Sequence, residues 1–167
     1  MTYCYQSAQD LQPIHIREAR PGDTPELLDM HLRASAASLY DRYAAPYTPT
    51  LADMEEITRL QPDEGSALVA LSGEMLVGVA YYVVTGREPE ATAEPAVLIE
   101  DHCQGQGIGT LLMEALLQQA KAQGITSISA FVHAGNGRMM RLLRNLSLPM
   151  TRRFTLGGRE FLLQLGQ

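Results

Sequence analysis

The sequence predicts an α/β (α+β) domain in which a mixed, mostly antiparallel central sheet carries helices on both faces. Two pairs of neighbouring strand segments are separated by short turns at residues 72–74 and 157–158, as in β-hairpins. Between these pairs lies a strand–helix–strand segment, which requires a parallel crossover. Because 167 residues suit one domain with its own core, we expect residues 13–167 to form it, after a loose tail at residues 1–12.

The first part of the domain is predicted to contain a strand and two helices. Apolar and polar residues alternate over residues 14–17, which indicates a strand. Residues 23–26, Asp-Thr-Pro-Glu, combine a capping side chain, a proline in the first turn and an acid, so we expect a helix to begin there. A second short helix is expected at residues 50–60, before Pro62. The apolar face of the first helix is formed by Leu27, Leu28, His31 and Leu32.

The remaining segments predict six strands and two helices. Pro95 lies near the start of one strand, where a missing N–H is tolerated, and Gly124 ends the longer helix. The order of elements along the whole domain is then β-α-α-β-β-β-α-β-α-β-β. The strands are predicted at residues 66–72, 75–85, 94–101, 125–132, 151–156 and 159–165, and the helices at residues 107–123 and 136–146.

The composition argues against several classes of protein. The net charge of −6 argues against general nucleic-acid binding, and no apolar run approaches the ~18 residues of a membrane span. The start of the chain has neither the basic flank nor the apolar segment of a secretory signal. Two cysteines and four scattered histidines form no disulfide framework and no metal-ligand spacing. We therefore expect a cytoplasmic protein with no metal, nucleic acid or membrane as its partner.

The charge is distributed unevenly along the chain. Residues 1–100 carry a net charge of −10, whereas residues 101–167 carry +4. An acidic region suits a cationic ligand and a basic region suits an anionic one. Charge scattered over a solvated surface would give the same totals, so both interpretations stay open.

Residues 99–112 run from the end of a buried strand, through a glycine-rich loop, into the first turn of a helix. Glycines at positions 105, 107 and 109 let the backbone approach an anion, and the free N–H groups of a helix start can hold a phosphate. The loop lacks the lysine of a nucleoside-triphosphate loop, and its glycine spacing differs from that of a dinucleotide fingerprint. The alternative is a tightly packed helix start that binds nothing.

The run Gln104-x-x-Gly107-x-Gly109 resembles the acyl-coenzyme A signature of the GCN5-related N-acetyltransferase (GNAT) superfamily. The predicted order of elements is similar to that of the superfamily over about residues 14–165. Residues 94–99, together with Asn136-x-x-Met139, look most like the acetyltransferase domain of bacterial protein-lysine acetyltransferases. The resemblance implies the GNAT acyl-CoA N-acyltransferase fold, with acetyl-CoA as the co-substrate.

The resemblance also implies which residues hold this cofactor. Backbone groups of Val97, Leu98 and Ile99 would pair with the pantetheine arm as an added strand does. The side chain of Asn136 would bond the pantetheine or a bridging water. The pyrophosphate would lie in the loop formed by Gln104, Gly105, Gln106, Gly107, Ile108, Gly109 and Thr110, whose backbone N–H groups from residue 105 to 110 would cradle it.

Glu94 matches the catalytic glutamate of the protein-acetyltransferase branch. An alkylamine with a pKa of ~10.4 is mostly protonated at pH 7, so transfer requires a group that takes its proton. Glu94 is the expected general base, with Glu100 in reserve; an exposed carboxylate at a strand start is the alternative. Two features depart from the family: Leu143 stands where many members have a tyrosine acid, and Ser147-Leu148 replaces Gly-Phe.

Several other residues have two interpretations at this stage. His133 could protonate the departing thiolate, and His102 could contact a phosphate or be a solvated loop residue. Arginines at positions 138, 141 and 144 could meet the cofactor's 3′-phosphate or form a solvated face. Tyrosines at positions 40, 43 and 47 could line an acceptor channel or pack helices on the sheet.

We expect an enzyme that moves the acetyl group of acetyl-CoA to a primary amine by direct attack. Protein lysine is the favoured acceptor, and a small amine such as a polyamine or an aminoglycoside-like compound is the alternative. A non-catalytic acyl-CoA-binding sensor is the second hypothesis, which the missing tyrosine favours and the presence of Glu94 opposes. The acceptor, the acyl length and the choice between a monomer and a homodimer stay open.

Overall fold

The computed structural model describes residues 2–3, 13–86 and 91–166 of the chain. Within them, one sheet carries helices on both faces. The strands are β1 (Thr2–Tyr3), β2 (Ile14–Glu18), β3 (Gly65–Ser72), β4 (Met75–Gly86), β5 (Thr92–Ile99), β6 (Ser127–His133), β7 (Met150–Thr155) and β8 (Gly158–Gln164). The helices are α1 (Thr24–Arg33), α2 (Ala36–Tyr43), α3 (Leu51–Thr58), α4 (Ile108–Ala122) and α5 (Gly137–Asn145).

The sheet has the order β1-β2-β3-β4-β5-β6-β8-β7, and β5–β6 is its parallel pair. On one face, α4 and α5 bury Leu112, Leu116 and Leu143 against the strands. On the other face, α1 and α3 bury Leu27 and Met54 among residues of β3, β4 and β5. The predicted fold class, a mixed and mostly antiparallel sheet with helices on both faces, is therefore confirmed.

The structure adds a helix that the sequence patterns did not predict. α2 begins after Ser35, whose side chain accepts a hydrogen bond from Ser38 N at 3.2 Å, and buries Leu39. Its exposed and polar positions gave no clear apolar stripe. The structure also corrects the predicted apolar face of α1, because Leu32 is 59% exposed and Met30 is fully buried. The buried residues of α1 are three or four positions apart, and Leu32 lies off that stripe.

The predicted tail and one predicted loop fall partly outside the described residues. Within the tail, Thr2–Tyr3 pairs antiparallel with β2. Residues 1 and 4–12 lie outside the described residues, as do residues 87–90 of the loop between β4 and β5. No helix in the described ranges is both long and apolar enough to cross a membrane.

The strands β5 and β6 pair only where they begin. The parallel register joins Thr92 to Ser127 and Ala93 to Ile128, and the described ladder ends there. β5 remains paired with β4 to Ile99, and β6 remains paired with β8 to His133. The two strands therefore separate from residue 94 onward, and a gap opens inside the sheet.

A partly buried ion pair connects β2 to the turn before α1. Arg17 donates two hydrogen bonds of 2.7 Å to the carboxylate of Asp23, which also accepts one from Arg20 N. The Arg17 hydrogen bonds hold the pKa of Asp23 below its usual range. A carboxylate with a lowered pKa in the folded state stabilises the fold above its unfolded pKa of ~3.9, and that contribution is lost as pH falls through the folded pKa.

We expect Asp23→Asn to lower the free energy of unfolding at pH 7 by about 2 kcal/mol, because the hydrogen bonds to a charged group are lost. The difference from wild type should shrink as pH falls below ~4 and the wild-type carboxyl takes up its proton. Urea unfolding of both proteins at several pH values measures this difference in the free energy of unfolding. Asp29→Asn, at an exposed position of α1, is the control. A difference that does not change with pH would contradict the assignment.

Candidate active site

The gap between β5 and β6 is the floor of a cleft of about 670 Å³. Residues 94–99 of β5 and residues 129–131 of β6 line it from the sheet. The loop before α4, the first turns of α5 and the helix α2 form its walls. One cavity thus contains the strand edge, the glycine-rich loop and Glu94, which the sequence analysis assigned to one site.

The edge of β5 that faces the cleft has unpaired backbone groups. The Glu100 N–H donates to Val77 O toward β4, and Ala91 O accepts from Thr126 N on the β6 side. Because the direction of these groups alternates along a strand, the N–H and C=O groups of Val97 face the cleft and those of Leu98 face β4. Pro95 also faces the cleft, so its missing N–H removes no bond from the β4 ladder.

The glycine-rich loop presents a row of free N–H groups. Gly105 has φ +76° and Gly107 has φ +83°, the left-handed region that favours glycine. None of the N–H groups of residues 105–110 donates a hydrogen bond to any described part of the chain. They lie at the positive end of α4, a helix of 15 residues. A Cβ at Gly105 would meet nothing within 4 Å, so the loop has open space for an anion such as a diphosphate.

The two glutamines of this loop position it through their side chains. Gln104 Nε2 donates to Ile99 O at 2.9 Å and to Ser38 Oγ at 3.0 Å, and Gln106 Nε2 donates to His102 O at 3.0 Å. Gln104 therefore ties the loop to the end of β5 and to α2. Gln104 lines the cleft, whereas Gln106 lies outside the cleft lining and has a backbone N–H without a partner in the described chain.

Asn136 lies in the cleft wall and is 7% exposed. Its Oδ1 caps α5 by accepting from Met139 N at 2.8 Å, and its Nδ2 donates to Asp41 O at 3.0 Å. Each of these atoms can form one more hydrogen bond. The side chain thus fixes α5 to α2 and keeps bonding capacity for a ligand or a water.

Glu94 lines the cleft near the start of β5, and the glycine-rich loop follows the other end of this strand. Glu94 is exposed, and its side chain has neither a hydrogen bond nor an ion pair with the described residues. Glu100, the reserve candidate, is buried and bound to Arg33 at 2.8 Å. Asp101 accepts hydrogen bonds from Ser35 and Ser38. The two acidic residues after β5 therefore fix α1 and α2 to the loop, whereas Glu94 is free to accept a proton.

Neither Leu143 nor His133 is placed to give a proton to a leaving thiolate. A leucine side chain has no ionisable proton, and Leu143 is buried on the inner side of α5. His133 Nδ1 accepts from Gly135 N at 3.2 Å, so Nε2 carries the hydrogen and donates it to Asp41 Oδ1 at 2.9 Å. Both ring nitrogens therefore have protein partners.

The structure also places His102 and the three arginines of α5, for which the sequence allowed two roles each. The side chain of His102 is 58% exposed and lies 3.6 Å from Glu100. Arg138 and Arg141 line the cleft, whereas Arg144 donates to Met140 O on the exposed side of α5. No cluster of three or more His, Cys, Asp or Glu side chains in the described residues could hold a metal ion.

The sequence analysis missed the contribution of α2 to the cleft. Ser38, Asp41 and Arg42 all line it, and none of them belongs to a recognised motif. The signal was present in the spacing of Leu39 and Tyr43, which are one helical turn apart. Read as a helix, residues 36–43 would have placed Asp41 and Ser38 on one side, next to each other.

Comparisons with known proteins agree with this architecture. The family model described as the Acetyltransferase (GNAT) family matches residues 33–147. Acetyltransferase Pat of Mycolicibacterium smegmatis is 28% identical over 140 residues, which are 83% of this chain and 42% of that protein. The chain thus spans less than half the length of this curated relative.

Two solved structures share the fold. The GNAT domain of S. lividans PAT superposes with a TM-score of 0.83 at 24% identity, covering 90% of each chain. The Salmonella typhimurium protein yncA, solved with its cofactor acetyl-CoA, gives 0.74 at 19% identity, covering 92% of this chain and 95% of the other. These superpositions show a shared fold, and the family match over most of the sequence shows that the chain belongs to the GNAT family of acetyltransferases, the family of acetyl-CoA-dependent N-acyltransferases.

Proposed function

We propose that the domain transfers the acetyl group of acetyl-CoA to a primary amine by direct attack, with Glu94 as the general base. The observation that carries the proposal is the single cleft that joins a free strand edge, a row of free N–H groups and an unpaired carboxylate. This combination suits a ligand with a peptide-like arm and a diphosphate, held next to a proton acceptor.

The fit to acetyl-CoA rests on this chain's own groups. Backbone groups of Val97 would pair with the pantetheine arm, together with the N–H of Ile99, whose carbonyl is already bound to Gln104. The N–H groups of residues 105–110 would hold the pyrophosphate, and Asn136 would use its remaining bonding capacity. Bound acetyl-CoA supplies an activated acyl thioester. The residues of the cleft would orient it and keep its carbonyl near the start of β5, where Glu94 lies.

Glu94 would make the amine nucleophilic. At pH 7 an alkylamine with a pKa of ~10.4 is neutral in only about one molecule in 2,500. The carboxylate takes the ammonium proton directly or through a water; the amine nitrogen then bonds to the acyl carbon as the carbon–sulfur bond breaks. The thiolate leaves with the electron pair of that bond. As the nitrogen becomes an amide it loses its second proton, which passes through water to the thiolate, since the described residues of the cleft place no acid there.

Protein lysine is the favoured acceptor in this proposal. The support is the resemblance of residues 94–99 and 136–142 to bacterial protein-lysine acetyltransferases, together with the acidic first hundred residues. A small polyamine or aminoglycoside-like amine is the alternative acceptor. A cytoplasmic location, and the choice between a monomer and a homodimer, stay predictions from the sequence. Free coenzyme A released with mixed amines would contradict the sensor hypothesis.

Glu94→Gln should lower turnover near pH 7 by roughly 10²–10⁴, the usual contribution of a positioned base. The affinity for acetyl-CoA should change little, because the proposed cofactor contacts lie elsewhere. The difference in rate should narrow at alkaline pH, as more of the amine is neutral without help. Initial rates against pH with one lysine peptide and saturating acetyl-CoA measure this.

The control for this substitution is Glu74→Gln, in the exposed turn between β3 and β4. It removes a carboxylate outside the cleft and should leave the rate as in wild type. A Glu94→Gln variant that stays within a factor of about three of wild type at pH 7 would remove Glu94 from the mechanism.

Gly107→Val should abolish binding of acetyl-CoA. A β-branched side chain resists the φ of +83° found at this position, and it would intrude on the anion's space. Gly124→Val is a matched control, since Gly124 has the same φ of +83° at the other end of α4, far along the helix from the cleft. Calorimetric titration with acetyl-CoA and thermal melting are measured for both. If a folded Gly107→Val protein binds as tightly as the control, the loop is not the phosphate site.

A further inference from the structure

A further cavity, of about 690 Å³, lies on the face of the sheet that carries α1 and α3. We call it the acidic cavity. Tyrosine rings form part of its wall, at positions 43, 47 and 81. No arginine, lysine or histidine of the described chain lines it. Four acidic residues line the acidic cavity: Asp53, Glu56, Asp63 and Glu64.

The acidic cavity begins next to the proposed base. Val83 lines the acidic cavity and Glu94 lines the cleft, and the two residues are direct cross-strand partners in β4 and β5. Side chains of such partners project from the same face of the sheet, with Cβ atoms ~5 Å apart. An acceptor whose amine lies at Glu94 can therefore extend into the acidic cavity.

A cation is already held at the boundary between the two spaces. The guanidinium of Arg42, which lines the cleft, lies 4.5 Å from the ring centre of Tyr43 and 5.1 Å from that of Tyr81, and it donates to the Tyr81 hydroxyl. Both tyrosines also line the acidic cavity, and Tyr47 stacks on Tyr43 at 3.6 Å. This tyrosine wall thus accommodates a positive charge within the chain itself.

The groups of the acidic cavity give it a negative charge at neutral pH. The Thr50 hydroxyl bonds to Asp53 and lowers the pKa of that carboxyl, so Asp53 is ionised. Burial raises the pKa of the Tyr43 and Tyr47 phenols, so both rings stay neutral. Glu56 is exposed and has no partner among the described residues. The cavity therefore combines neutral aromatic faces with carboxylates, as sites for organic cations do.

We propose that the acidic cavity binds a second positive charge on the acceptor, so that the preferred substrate is a primary amine with a further guanidinium or ammonium group nearby. The inference rests on the proposed function, because it assigns a substrate class to the same reaction. A lysine beside an arginine in a peptide and a free polyamine share this chemistry. The proposal also assigns a cationic ligand to part of the negative charge of residues 1–100, for which the sequence alone left two interpretations open.

The test compares acceptors that differ in one charge. One pair is a peptide whose single lysine is flanked by arginines and the same peptide with citrulline, which has the same shape without the charge. The other pair is 1,5-diaminopentane and pentylamine. We expect wild type to favour the charged member of at least one pair in kcat/KM by roughly tenfold at 0.1 M salt. If the peptide pair shows this preference, the acceptor is a peptide; if the diamine pair shows it, the acceptor is a small amine.

The double variant Glu56→Gln/Glu64→Gln should reduce that preference to about threefold or less, because it removes two charges from the cavity. Glu55→Gln is the matched control: it lies on the same helix, but outside the lining of the cavity, and should keep the preference. Equal rates within both pairs in wild type would overturn the proposal. If the double variant keeps the full preference, the proposal is also overturned, because the second positive charge of the acceptor would then bind outside the acidic cavity.

Calorimetric affinities for the same compounds separate this proposal from the proposed function, because binding needs no turnover. If the protein releases no coenzyme A with any amine, acetyl transfer is wrong. In that event, tighter binding of the charged compounds by wild type than by the double variant would still support the acidic cavity. Equal binding by the two proteins would overturn it.

Discussion

The separation of β5 from β6 is the constraint on which the rest of the site depends. A strand inside a sheet normally satisfies its backbone groups on both sides, yet the described β5 has a partner on one side only after Ala93. The fold keeps this edge open because each strand is held along its length by its other neighbour, β4 or β8. Val97 is left with polar groups that a ligand with an amide-containing arm can satisfy.

Polar contacts at the end of β5 convert this opening into a shaped cleft. Glu100 is bound by Arg33 of α1, and Asp101 is bound by Ser35 and Ser38 at the start of α2. Gln104 then joins the glycine-rich loop to Ile99. The carboxylates nearest to the loop are thereby engaged in holding helices, and the repulsion they would exert on an anion is reduced by the arginine.

Most of the fold could be predicted from the sequence, because hairpin turns, alternation and helix caps are local signals. Pro95 and Gly107 were also predictable, since each belongs to a backbone position with special requirements. The opening of the sheet was not: residues 94–99 keep their alternation whether or not β6 is beside them. Asn136 was assigned from a motif alone. Its bond to Met139 N is a local helix cap, but its bond to Asp41 O depends on α2, which the patterns missed.

The way in which α2 is attached has a consequence for how ligands enter and leave the cleft. Within the described structure, Leu39 is the large apolar side chain that this helix buries, while Ser38, Asp41 and Arg42 hold it by polar contacts. Such contacts exchange with water at little cost, whereas the core under α4 does not. We therefore expect local detachment of α2 to cost less free energy than global unfolding, and it would remove the part of the cleft wall that Ser38, Asp41 and Arg42 form.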